Sequence, residues 1–190
     1  LTLLRRLSLD PALVDNAHGN VPAAKVEVLL EDLSELVGEG HQALVFSQFT
    51  TFLSRIRARL AESDISYAYL DGRTRNRDRV IQRFRDKAAS VFLISLKAGG
   101  FGLNLAEADY CFVLDPWWNP ATEAQAVDRT HRIGQTKTVM VYRLVAKDTI
   151  EQKVMDLKAR KEELFASVVD SEALAGAGLT AEEIRGLLGG

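Results

Sequence analysis

Residues 91–120 read VFLISLKAGGFGLNLAEADYCFVLDPWWNP. Two runs within this stretch, Val91–Ser95 and Tyr110–Asp115, are apolar on successive residues, as strands covered on both faces should be. Between them, Gly99, Gly100 and Gly102 let the backbone turn sharply and approach a ligand closely, because no Cβ intervenes. Leu105 stands where the third glycine of the G-x-G-x-x-G dinucleotide fingerprint would fall, so that reading fails. Alone, the cluster fits a tight structural turn as well as a phosphate-facing loop.

Further strands are predicted at Ala43–Ser47, Tyr67–Leu70 and Val139–Val145, separated by segments of helical period. The predicted helices are Pro22–Val37, Thr51–Ala61, Arg75–Arg85, Ala121–Thr130 and Thr149–Val168. Pro22 suits a helix's first turn, and Thr74 can cap the helix that follows it. Such alternation implies right-handed crossovers and a mainly parallel sheet in an α/β domain. Ligands collect at the carboxyl ends of parallel strands, and the loops after Ser47, Leu70, Ser95 and Asp115 leave those ends. The opening LTLLRRLSLDPALV reads as a short helix closed by Pro11, then a linker. After Asp148 come a long charged helix, a Gly/Ala-rich break at Ala175–Gly178, and a small helix, Ala181–Leu188, that Thr180 can cap. The expected division is an N-terminal helix and linker at 1–20, a lobe at 21–147 and a helical extension at 148–190.

A chain of 190 residues suits one self-sufficient core. Its one cysteine, Cys111, excludes an internal disulfide and lies in an apolar run, as a buried thiol does. His18, His41 and His131 have no zinc-ligand spacing. No apolar stretch reaches the roughly 20 residues that span a bilayer, and no secretory signal is visible. The first residue is not Met, so a piece of a longer protein is expected. The net charge of −2 argues nothing about nucleic acid, but its distribution does. Between Asp71 and Lys87, seven basic residues (Arg73, Arg75, Arg77, Arg79, Arg83, Arg85, Lys87) face three acidic ones. Such a stripe is either a solvated helix face or a phosphate-backbone contact.

In Gln125–Gln135, QAVDRTHRIGQ, the residues Gln125, Arg129 and Arg132 are spaced to share one helix face. They make a poor core face and a good clamp for a polyanion, since guanidinium pairs bidentately with phosphate oxygens. The alternative is an exposed helix salt-bridged through Glu123 and Asp128. Trp117 and Trp118, bracketed by Pro116 and Pro120, serve either packing or a wedge against nucleic acid. The 190 residues hold no G-x-x-x-x-G-K-[ST] phosphate loop and no Asp-Glu pair after a strand. They offer no Ser-His-Asp, zinc or paired-carboxylate chemistry. A complete NTPase site cannot be assembled from them.

In order along the chain, ALVFSQFT (43–50), YLDGRTRNRDR (69–79), ISLKAGGFGLNLAEAD (94–109), LDPWWNP (114–120) and residues 125–135 resemble the carboxy-terminal helicase motifs of superfamily two, in its Swi/Snf-type branch. The tail from Lys147 is similar to that family's bracing helix, and the opening segment to the stretch preceding the lobe. The resemblance covers nearly the whole chain and implies a three-layer RecA-like, P-loop NTPase-type domain with a helical C-terminal extension. It further implies the second lobe of a DNA-dependent ATPase that translocates along double-stranded DNA and remodels a protein target bound there. ATP and Mg2+ are then held mainly by an N-terminal RecA-like lobe of the same polypeptide, with no membrane partner. Carried over by position, Arg129 and Arg132 are arginine fingers and Gln125 lies beside the γ-phosphate. Gly102 and Asn104 face nucleotide, and Ser47, Gln48, Arg73, Thr74, Ser95 and Lys97 lie on the DNA-backbone side, with Trp118 as a DNA-facing wedge. Relatives usually carry Thr before Lys-Ala-Gly-Gly, whereas here Leu96 follows Ser95, leaving Ser95 to supply the hydroxyl.

Alternatives within reach of the same residues are a noncatalytic nucleic-acid-binding module and an RNA helicase of the same superfamily. The arginine pair disfavours the first and LDPWWNP the second. The lack of long family insertions points to a prokaryotic source and a cytoplasmic or nucleoid location; a eukaryotic source would imply the nucleus.

Overall fold

In the computed structural model, residues 1–19, 21–96, 105–117, 139–166 and 180–188 are described. Five of their segments form one all-parallel sheet: β1 (Ala43–Ser47), β2 (Tyr67–Leu70), β3 (Val91–Ser95), β4 (Tyr110–Val113) and β5 (Met140–Arg143). The strand order is β2-β3-β1-β4-β5. The chain thus leaves β1 toward one edge and β4 toward the other, which sets the sheet's switch point between these two neighbours.

Every residue of β1 and β3 is buried, as their uninterrupted apolar sequences demand. Alternate side chains feed two cores. Val45, Leu93 and Phe112 face one layer, packed with α2 (Ala24–Gly38) through Leu29 and Leu33 and with α3 (Thr50–Glu62) through Phe52 and Ile56. Leu9 and Leu13, from the segment before the lobe, join that layer. Phe46, Phe92, Ile94 and Cys111 face the other, with Phe84 of α4 (Arg77–Arg85). The Phe84 and Phe92 ring centroids lie 5.2 Å apart. Buried Gln42 donates to the Phe84 and Ala89 carbonyls at 2.7 and 3.2 Å, satisfying the acceptors around the end of α4.

Strand β5 is shorter than the expected Val139–Val145, and three further boundaries shift for local reasons. Helix α2 starts at Ala24, because the chain is extended through Ala23; Pro22 therefore lies outside the first turn. Helix α4 starts at Arg77, and Thr74 does not cap it. Thr74 Oγ1 instead donates to Asp71 Oδ1 at 3.1 Å and accepts from the Asp71 N–H at 3.0 Å, closing the turn after β2. Strand β4 ends at Val113, and Asp115 turns toward the end of β1. The predicted helix 121–130 lies outside the described residues.

The flanks are helical. Helix α1 (Thr2–Leu9) stops before Pro11, where the Asp10 carboxylate accepts the Ala12 N–H at 2.9 Å. Helix α5 (Ile150–Ala166) follows β5, and α6 (Ala181–Leu188) opens on a reciprocal cap. There the Glu183 N–H donates to Thr180 Oγ1 at 3.2 Å and the Thr180 N–H to Glu183 Oε2 at 2.7 Å. None of the described helices is long and apolar enough to cross a membrane.

Phe92 is fully buried between two layers. Phe92→Ala should lower the unfolding free energy by about 3–5 kcal/mol. Met140→Ala, on the exposed face of the edge strand, should cost under about 1 kcal/mol. Urea unfolding of both variants checks the contrast.

Candidate functional site

The register sets Phe46, Ile94 and Leu70 level across three strands, so the loops after β1, β2 and β3 open on one edge. After β2, the Asp71 carboxylate accepts the Arg73 N–H at 2.9 Å, the Thr74 hydroxyl and, at 3.1 Å, the Tyr69 hydroxyl. Burial pushes the Asp71 carboxyl upward, but these donors outweigh it and hold it below the usual carboxylate range. The turn is thus a rigid stub that presents Arg73 to solvent and leads into α4, where Arg79, Arg83 and Arg85 are exposed. Lys87, just past the helix, is exposed as well.

At the switch point the centre is Asp115, which is buried. Its carboxylate accepts from the Ser47 hydroxyl, from the Gln48 backbone N–H at 3.1 Å and from Gln48 Nε2 at 2.9 Å. Burial nevertheless pushes its carboxyl above the ordinary range. Arg5 of α1 reaches in from behind, donating to Gln48 Oε1 at 3.1 Å and to the Pro116 carbonyl at 2.8 Å. Its guanidinium carbon lies 5.5 Å from the Phe49 ring centroid. Beside it, Lys25 of α2 donates to the Leu114 carbonyl at 2.7 Å and pairs with Glu151 of α5 at 2.5 Å. Glu151 Oε2 also accepts the Ala146 N–H at 2.9 Å. Desolvation pulls the Arg5 guanidinium and the Lys25 ammonium down, opposed by the charges of Asp115 and Glu151.

Of the DNA-side residues read from sequence, the structure therefore brings Ser47 and Gln48 together on Asp115 and sets Arg73 and Thr74 at the neighbouring turn. Ser47 and Ser95 are buried, with the Ser47 hydroxyl committed to Asp115; Gln48 and Thr74 are half-buried and Arg73 is exposed. Gly102, Asn104, Lys97, Trp118, Gln125, Arg129 and Arg132 lie outside the described residues. Among the described residues no group of three His, Cys, Asp or Glu side chains gathers as a metal site. Sequence reasoning missed Arg5, Lys25 and Glu151. A signal existed for Lys25, which stands four and eight residues before Leu29 and Leu33 on an otherwise apolar helix face.

A five-stranded parallel sheet covered by helices, with its polar loops at the switch-point edge, defines a RecA-like α/β lobe. Residues 24–134 match the helicase conserved C-terminal domain family, and the chain belongs to it, as the C-terminal lobe of a Swi/Snf-type ATPase of superfamily two. DNA repair protein RAD5A of Arabidopsis thaliana is 40% identical over 175 residues, 90% of this chain and 17% of that protein. An uncharacterized ATP-dependent helicase of Mycoplasma pneumoniae is 39% identical over 97% of this chain and 18% of its own length. The crystal structure of the C-terminal part of the Fun30 ATPase domain superposes with a TM-score of 0.68 at 33% identity, over 85% of this chain and 47% of that one. The chain thus spans less than a fifth of these two curated relatives.

Lys25→Met strands Glu151 in the interior and should cost about 3–5 kcal/mol, most of it recovered in Lys25→Met/Glu151→Leu; denaturant titration of the three proteins measures this. The raised Asp115 carboxyl has a signed consequence. The folded chain holds that proton more tightly than the unfolded chain, so stability falls as pH rises from the unfolded carboxyl pKa to the higher folded one, then levels off. Asp115→Asn should remove this contribution from the pH–stability curve.

Proposed function

We propose that this lobe is half of an ATP-driven motor that translocates along duplex DNA and remodels protein–DNA complexes. The observation that carries the reading is a shared edge. The Gln48 loop and the Asp71–Thr74 turn follow the carboxyl ends of β1 and β2, set level across β3, in a family match that extends through Arg129 and Arg132. Amide, hydroxyl and guanidinium donors along one edge suit sequence-independent grip on a phosphate backbone. Arg73 and the second N–H of the Gln48 amide supply it from the surface, and Thr74, whose hydroxyl donates to Asp71, holds the turn that carries Arg73. Ser47 and Ser95 shape the loops beneath, and Lys97 and Trp118 extend the contact.

ATP and Mg2+ belong mainly to an N-terminal RecA-like lobe of the same polypeptide, which carries the phosphate loop and acidic pair that these 190 residues do not hold. In this lobe Gly102 and Asn104 face the nucleotide, Gln125 stands beside the γ-phosphate, and Arg129 and Arg132 stabilise charge on the transferring phosphoryl group. Closure of the two lobes around ATP and their release after hydrolysis move the DNA grip on one lobe relative to the other. The relatives named for DNA repair and for ATP-dependent helicase activity support the same class.

In the parent protein, Arg129→Ala and Arg132→Ala should each lower DNA-stimulated ATP turnover by about 10³-fold or more while nucleotide binding is retained. Undiminished turnover in both would contradict the assignment. The isolated chain should hydrolyse ATP at background rate. Arg73→Ala should weaken parent–duplex binding equally across sequences and reduce the salt slope of log K by about one, as read by titration at several ionic strengths.

A further inference from the structure

From the switch-point geometry we infer that Arg5, in α1 at the start of the chain, is a positioning residue for the DNA-facing edge. Resting on the motor reading above, it acts through Gln48 and the turn after β4. Arg5 is 3% exposed and bridges two loops that are distant in sequence, Gln48 at 43 residues and Pro116 at 111. The Gln48 amide is held between opposite charges. Its carbonyl oxygen accepts from the Arg5 guanidinium, and its nitrogen donates to the Asp115 carboxylate. A flipped amide would set NH2 against a cation and C=O against an anion, so the flanking charges dictate one orientation. The backbone N–H of Gln48 is tied to the same carboxylate, which fixes main chain and side chain together.

Burial of a guanidinium is costly, and an apolar residue would pack α1 against the sheet at lower cost. What arginine adds is a planar fork that reaches two acceptors at fixed angles. The second acceptor, the Pro116 carbonyl, begins the segment that runs on to Trp118. One side chain outside the strands and loops of the edge thereby sets the relative position of the two loops that leave the switch point. A phosphate grip needs that spacing held, since small displacements of positioned groups carry large costs. Lysine at this place keeps the charge that Asp115 and Glu151 require but has no fork.

The test uses the full parent ATPase with duplex DNA of random sequence. Arg5→Lys should raise the DNA concentration for half-maximal ATPase about tenfold, the loss expected for one charge-assisted hydrogen bond. The KM for ATP and the rate at saturating DNA should stay within about twofold. Gln48→Ala, which also removes a side chain of the grip itself, should raise the half-saturating DNA concentration at least as far, and the double variant should fall short of the product of the two single effects, because Arg5 acts in part through Gln48. An unchanged half-saturation in Arg5→Lys, or independent effects that multiply in the double variant, would overturn the inference. Should Arg5→Lys not fold, Arg5→Met/Asp115→Asn compared with Asp115→Asn keeps the formal charge balanced, and the same rise or its absence decides. If the wild type shows no DNA stimulation, the motor reading fails and takes this role with it. If stimulation is present and lost in Arg129→Ala while Arg5→Lys behaves as wild type, only the positioning role falls.

Discussion

A carboxylate out of reach of water has to be surrounded by donors, and Asp115 meets that requirement by drawing the end of β1 onto the end of β4. Around it, Arg5, Lys25 and Glu151 complete a buried cluster of two formal cations and two formal anions contributed by α1, α2, β4's exit and α5. Each member offsets charge that would be intolerable alone, so the helices before and after the lobe are fastened to the sheet where its loops open. The hydrophobic layers give the lobe its stability, whereas the cluster fixes the geometry of one edge.

That division explains what could be read from the chain. Strands β1 and β3 begin and end where their apolar runs do, because a strand buried on both faces has no polar interruption to blur it. At two of the boundaries that moved, Thr74 and Asp115, a side chain closes a local turn or bonds to a distant partner instead of serving the element next to it. Within the cluster Lys25 and Glu151 stand 126 residues apart, and no local period encodes such a pairing. Only the misplaced charge on the apolar face of α2 hinted at it. The nucleotide-facing roles of Gly102, Asn104, Gln125, Arg129 and Arg132 came from family resemblance, since two arginines on a helix face are compatible with several chemistries.

Function on this fold is divided between chains of contact that meet at the switch point. Arg73, exposed after β2, is steered by an Asp71 turn whose hydrogen bonds are local, so that part of the edge is set by nearby sequence. The Gln48 loop is set by Arg5 of α1 and by Asp115 after β4, both distant in sequence. A lobe built this way couples the edge proposed to face DNA to the helices that flank the sheet.

The central claim is that one edge of this lobe faces both DNA and the nucleotide of a partner lobe. A structure of the parent protein bound to duplex DNA and a phosphoryl-transfer transition-state analogue tests it most directly. The account predicts the Arg129 and Arg132 guanidinium groups on the transferring phosphoryl, and a strand of backbone phosphates along Gln48, Arg73 and Thr74. Arginines paired with carboxylates of their own lobe, or DNA lying at the amino-terminal ends of the strands, would contradict it.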